Sequence, residues 1–107
     1  MAPPPALSGW DFRYATSDGI HGWEQVSSAA PANARLAWEQ ITADPRNRSS
    51  RQHPLRGSLA TREVNGVALE QWQYEVTAGG RLWYCIDDDR RTVWLMDAMA
   101  GHPKATE

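Results

Sequence analysis

Three residues toward the end of this 107-residue chain, Arg81, His102 and Lys104, are of the types needed to hold a phosphate and move a proton. Cleaving an RNA phosphodiester without a metal takes a base for the 2′-hydroxyl, an acid for the leaving 5′-oxygen and a cation for the charge that builds up between them. Arginine suits the last role because its planar fork can bind two phosphate oxygens. Histidine suits proton transfer because a free imidazole titrates near neutrality, at about 6.5. Lys104 adds positive charge beside His102, and Glu75 is the strand acid able to pair with that histidine. Each also has a plainer reading: Arg81 paired with Asp87 or another acid, and His102 and Lys104 as solvated residues near a terminus.

A second group lies upstream. Arg46, Arg48, Arg51 and Arg56 fall in a stretch without acids, and His53 stands among them. Arg51, His53 and Arg56 can clamp an RNA backbone or form a solvated basic loop. The chain as a whole carries a net charge of −2, which argues against broad, non-specific nucleic-acid binding. Of the tryptophans, Trp23, Trp38 and Trp72 fall on core faces. Trp83 shares the parity of Arg81 and Cys85, which makes it the candidate for stacking on a base.

The elements that must position these residues follow from periodicity. Asp11–Thr16 alternates as a short strand. Ile20, Trp23 and Val26 recur as on a helix over Asp18–Ser28, although Gly19 and Gly22 each cost roughly 1 kcal/mol against alanine. Pro31 suits a second helix start. Ala34, Ala37, Trp38 and Ile41 form its apolar stripe, and Asp44-Pro45 ends it. Arg46–Arg56 lacks periodicity and is expected to be a loop. Leu59–Val64 then leads into Asn65-Gly66, a strong hairpin signal, followed by strands at Ala68–Thr77, Arg81–Asp87 and Thr92–Ala98. Within Glu70–Val76, Trp72, Tyr74 and Val76 share one face and Gln71, Gln73 and Glu75 the other, as in a half-buried antiparallel sheet. The expected fold class is α+β: an N-terminal strand, a two-helix hairpin and an antiparallel β meander, with the helices on one face of an antiparallel sheet. Residues 1–9 read as a flexible leader and 10–107 as a single domain.

In this order and spacing the residues resemble the RelE/ParE superfamily of bacterial toxins. Carrying the resemblance are the strand–helix–helix–meander succession, Pro54-Leu55-Arg56-Gly57 after the second helix, and Gly80-Arg81-Leu82-Trp83-Tyr84 on a late strand. The acidic turn Asp87–Arg90 and the closing Gly101-His102-Pro103-Lys104 complete it. The resemblance implies the toxin of a type II toxin–antitoxin pair, neutralised by a cognate antitoxin. Many members cut mRNA in the ribosomal A site and so inhibit translation. Arg81 matches the family's phosphate-binding strand arginine, His102 a position that assists proton transfer, and Lys104 the basic residues that follow.

The expected activity is therefore that of a metal-independent, ribosome-dependent endoribonuclease (an mRNA interferase). The resemblance also leaves room for a ParE-like toxin that binds and inhibits DNA gyrase, or an inactive module that only binds its antitoxin. The gyrase alternative is favoured by the strand before Arg81, which offers Gln71, Gln73 and Glu75 where the family's nucleases carry lysines or a glutamate, and by the lack of a counterpart to the closing tyrosine of many nucleases; Pro103 stands where an arginine is common.

No metal or cofactor is implied, because His21, His53 and His102 are far apart and no Cys–His spacing appears. Cys85 is the single cysteine, so no intrachain disulfide forms, and the expected location is the reducing cytoplasm. No apolar run reaches membrane-spanning length.

Overall fold

The computed structural model describes residues 9–101. Strand β1 (Asp11–Tyr14) leads into helices α1 (Ser17–Ala29) and α2 (Pro31–Ala43). Strand β2 (Gln52–Pro54) and a 3-10 turn (Gly57–Leu59) follow, then β3 (Thr61–Val64), β4 (Val67–Glu75), β5 (Arg81–Asp87) and β6 (Thr92–Met99). The six-stranded sheet runs β1-β6-β5-β4-β2, with β3 paired to the first half of β4.

Two expectations need correction. The sheet is mixed, because β1 lies parallel to β6 with Asp11 opposite Thr92. The two-helix connection brings the chain back in an orientation that period-two alternation does not encode. The stretch Arg46–Arg56 is not wholly a loop either, because β2 pairs antiparallel to β4, with His53 opposite Gln73. A three-residue edge strand that ends on a proline leaves no periodic signal, and edges are where a sheet tolerates proline.

Thr16 caps α1: its Oγ1 accepts from the Gly19 amide at 2.9 Å and donates to the Met96 carbonyl on β6. That double bond fixes the helix start to the sheet. Gly19 and Gly22, a weakness by propensity, have a packing reason. A Cβ at Gly22 would stand 2.1 Å from the Ala98 carbonyl oxygen, and one at Gly19 would stand 2.7 Å from that of Leu95. The helix therefore rests almost backbone to backbone on β6. Ile20, expected on the core face, is 39 % exposed.

Both helices cover one face of the sheet. Trp23, Val26, Ala37 and Ile41 pack there against Trp72, Tyr74, Leu82, Tyr84 and Leu95. Trp72, Tyr74 and Val76 are buried on this side as alternation required. Burial pushes the Tyr84 phenol well above its ordinary value. Its hydroxyl donates to the Pro45 carbonyl at 2.7 Å and accepts from Gln52 Nε2 at 3.0 Å. Gln52 Nε2 also reaches the Asp44 carbonyl at 3.0 Å, so the end of α2 is tied to β2 through buried polar bonds. Asn65 (φ 52°) and Gly66 (φ 82°) form the tight turn between β3 and β4, where both central residues need the left-handed region.

Candidate functional site

The face of the sheet turned away from the helices carries the candidate residues. Register alone builds a row across it: His53 on β2, Gln73 on β4, Trp83 on β5 and Asp97 on β6 stand opposite one another. Next to it runs a second row, Glu75, Arg81 and Met99. Neighbouring strands are about 4.8 Å apart, so these side chains share one working surface.

Arg81 lines a shallow depression of about 140 Å³ with Gln73, Glu75 and the Ala78–Gly80 turn. Asp87, the acid expected as its possible partner, stands at the opposite end of β5 and accepts instead from Trp94 Nε1 and the Arg90 amide. Trp83 is half-buried on the same surface as Arg81, and its indole Nε1 donates to Gln73 Oε1 at 2.8 Å. Gln73 Nε2 in turn lies 3.4 Å from His53 Nε2, while His53 Nδ1 is 3.2 Å from the Pro54 carbonyl. Gln73 is the residue that sequence reasoning undervalued. Alternation placed it on the open face, but the strand bearing its histidine partner was not recognised, so the connection could not be seen.

The basic stretch divides by role. The Arg46 guanidinium hydrogen-bonds both Glu70 of β4 and Asp88 of the β5–β6 turn, with 2.8 Å to Glu70 Oε1 from Nε and 2.7 Å to Asp88 Oδ2 from Nη2. The hydrogen bond from Arg46 holds the Asp88 carboxyl below its usual value. Burial pushes the Glu70 carboxyl up, but hydrogen bonds from Arg46 and Trp72 outweigh it and leave Glu70 lowered. Arg48 lies over the Trp72 ring at 5.7 Å from its centroid. Arg51 donates to the Glu75 and Val76 carbonyls at 3.2 and 3.3 Å. His53 and Arg56 are exposed and line, with Arg48, Pro54 and Leu55, a depression of about 280 Å³. Of the expected RNA contacts, His53, Arg56 and Trp83 thus point to accessible surface, whereas the Arg51 guanidinium braces the end of β4. His102 and Lys104 lie outside the described residues.

Cys85 is fully buried beneath the open face, near Val64 and Met96. Burial pushes its thiol up to about 11, so it is an un-ionised packing residue at neutral pH. Arg62 on β3 reaches diagonally across this surface to Asp97 Oδ2. Among the described residues, no three His, Cys, Asp or Glu side chains gather into a metal-binding group, and no helix is long and apolar enough to cross a membrane.

No protein-family model matches the chain, and no curated protein matches it. Among solved structures, it is similar to a chain of the toxin–antitoxin complex RelBE2 from Mycobacterium tuberculosis. The TM-score is 0.59 and the identity 18 %, with 88 % of this chain and 93 % of that one covered. The likeness is one of fold, and it extends over nearly all of both chains.

Proposed function

We propose that this RelE-like α+β fold is the toxin of a type II toxin–antitoxin pair and acts as a metal-independent endoribonuclease on ribosome-bound mRNA. The observation that carries this reading is the open sheet face. It presents an arginine and a tryptophan from one strand, Arg81 and Trp83, beside an exposed histidine from the edge, His53. Arg81 holds the scissile phosphate through its fork. Trp83 stacks on a base and Arg56 contacts the backbone. His102 and Lys104, which follow Met99, the register partner of Arg81, assist with proton transfer and charge. The partner is a cognate antitoxin, in keeping with the complex that shares the fold, and the site of action is the cytoplasm.

The test is primer extension on ribosome-bound mRNA after induction. New 5′ ends within A-site codons are expected, and Arg81→Ala should reduce them by about 10²–10³, the usual effect of removing one transition-state donor. Intact mRNA on a growth-arresting induction overturns the nuclease reading.

A second reading, a toxin that binds DNA gyrase without cutting RNA, is favoured by one feature. Glu75 stands directly opposite Arg81, and β4 puts no cation on the open face, which lowers the positive charge available to a phosphate. Accumulating gyrase–DNA cleavage complexes with intact RNA is its signature.

A further inference from the structure

The hydrogen bonds around His53 have only one consistent proton assignment. An indole N–H donates and never accepts. Trp83 Nε1, 2.8 Å from the Gln73 amide, therefore has to meet the amide oxygen. The amide nitrogen of Gln73 is then the group that faces His53 Nε2 at 3.4 Å. That nitrogen carries two donors and no acceptor, so His53 Nε2 must be a bare, accepting nitrogen. An independent contact gives the same answer from the other side of the ring. The Pro54 carbonyl, 3.2 Å from Nδ1, can only accept, so Nδ1 carries the proton. Both ends of the ring thus select the Nδ1–H tautomer, the form a free histidine side chain populates less.

The arrangement makes sense on a face that meets a hydroxyl-bearing ligand. The Gln73 contact to Nε2 is long, at 3.4 Å, and a bond of that length is weak and readily replaced. A ribose hydroxyl that displaces this amide contact would meet Nε2 as an accepting nitrogen. Strand spacing and rise put the Cα atoms of His53 and Arg81 about 12 Å apart, a gap two long side chains can narrow to the span of one nucleotide. Arg48 and Arg56 are the charged groups that share a depression with His53.

We infer that Trp83 and Gln73 are positioning residues that lock His53 in its Nδ1–H tautomer, so that Nε2 accepts the proton of a ribose 2′-hydroxyl on the open face. The ligand class rests on the nuclease reading above, whereas the lock itself does not. On proton acceptance the hydroxyl oxygen keeps the electron pair of its O–H bond and attacks the adjacent phosphorus. The P–O5′ bond then breaks, its electron pair leaves on the 5′-oxygen, which takes a proton from water, and the 2′-oxygen stays on phosphorus as a 2′,3′-cyclic phosphate.

Ring-nitrogen NMR of the 15N-labelled full chain at about pH 9, well above the roughly 6.5 of a free imidazole, reads the tautomer directly. Wild type should show His53 predominantly as Nδ1–H. Trp83→Phe removes the donor that orients Gln73 and should return His53 toward the common Nε2–H form. Gln73→Glu, nearly the same shape, offers Nε2 an acceptor and should put a proton on Nε2, with or without the one on Nδ1. A wild-type ring already in the Nε2–H form, or one indifferent to both variants, overturns the lock. Cleavage decides the acceptor role. If wild type cuts mRNA, Gln73→Glu should cut at least tenfold less at unchanged thermal stability, and undiminished cutting refutes it. If wild type cuts nothing, the nuclease reading fails and the acceptor role with it, while the NMR result still decides the lock.

Discussion

Gly22→Ala sets local propensity against tertiary packing with opposite signs. Alanine favours a helix interior over glycine by about 1 kcal/mol, so α1 taken alone would gain from the change. Against the sheet it loses. The new Cβ would stand 2.1 Å from the Ala98 carbonyl oxygen and 2.8 Å from the Ala98 Cβ, where ordinary contact begins near 3.4 Å. The obstacle is backbone, so no rotamer change relieves it, and α1 must lift from β6 by more than an ångström. Overpacking of this kind costs typically 1–3 kcal/mol and sometimes more. A backbone clash this deep takes the upper part of that range, about 2–3 kcal/mol, so after the propensity gain of about 1 kcal/mol a net loss of roughly 1–2 kcal/mol is expected. That corresponds to about 4–8 °C in Tm per kcal/mol for a domain near this size.

Urea unfolding followed by circular dichroism is the assay: the midpoint should fall with an unchanged slope. Gly19→Ala, whose Cβ would lie 2.7 Å from the Leu95 carbonyl oxygen, should lose less. A Gly22→Ala protein as stable as wild type, or more so, would refute the close seating of α1 on β6. The effect should also reach the site, because Ala98 and Met99 are the register partners of Leu82 and Arg81.

Replacing Arg46 by methionine should lower stability by about 1 kcal/mol at neutral pH, since all three charges are substantially exposed and screened. Glu70 and Asp88 both have lowered carboxyl pKa values in the fold. Their contribution is therefore present above the ordinary carboxylate range and lost as pH falls through the folded values. Wild type and Arg46→Met should converge in acid, and a gap that stays constant down to about pH 2 would contradict this pairing. Cys85, with its thiol pushed up to about 11 and fully buried, should resist iodoacetamide at neutral pH in the native protein and react fully in urea; rapid native labelling would show that the β3–β4 hairpin does not cover it.

Much of the architecture could be read from local pattern. Asn65-Gly66 marked its turn, the alternation over Glu70–Val76 put the right side chains on each face, and the stripe from Ala34 to Ile41 defined α2. Where pattern failed, distant residues decide the structure. Strand β2 exists because β4 offers it an edge and because Gln52 bonds across to Tyr84 and Asp44. The parallel seating of β1 depends on a partner at the far end of the chain. The basic stretch looked uniform, but Arg46 has its acids at Glu70 and Asp88 and Arg51 its carbonyls at Glu75 and Val76. Only the fold reveals that two of these arginines are braces. For the site, Arg81 and Trp83 were legible from strand parity, whereas the link from Trp83 through Gln73 to His53 needed the unrecognised strand.

The parallel pairing of β1 with β6 also has a consequence for synthesis. Among the described residues, the sheet neighbour of strand β1 is β6 alone, and Asp11 waits for Thr92. Closing so long a loop delays the contact until the chain has been made through β6. At translation rates of about 5–20 residues per second, β1 spends several seconds without a sheet partner, while the β3–β4 hairpin is already able to form. The row that carries His53, Gln73 and Trp83 is itself backed on one side by β6. A nascent chain therefore completes this face of the sheet only once β6 has been made.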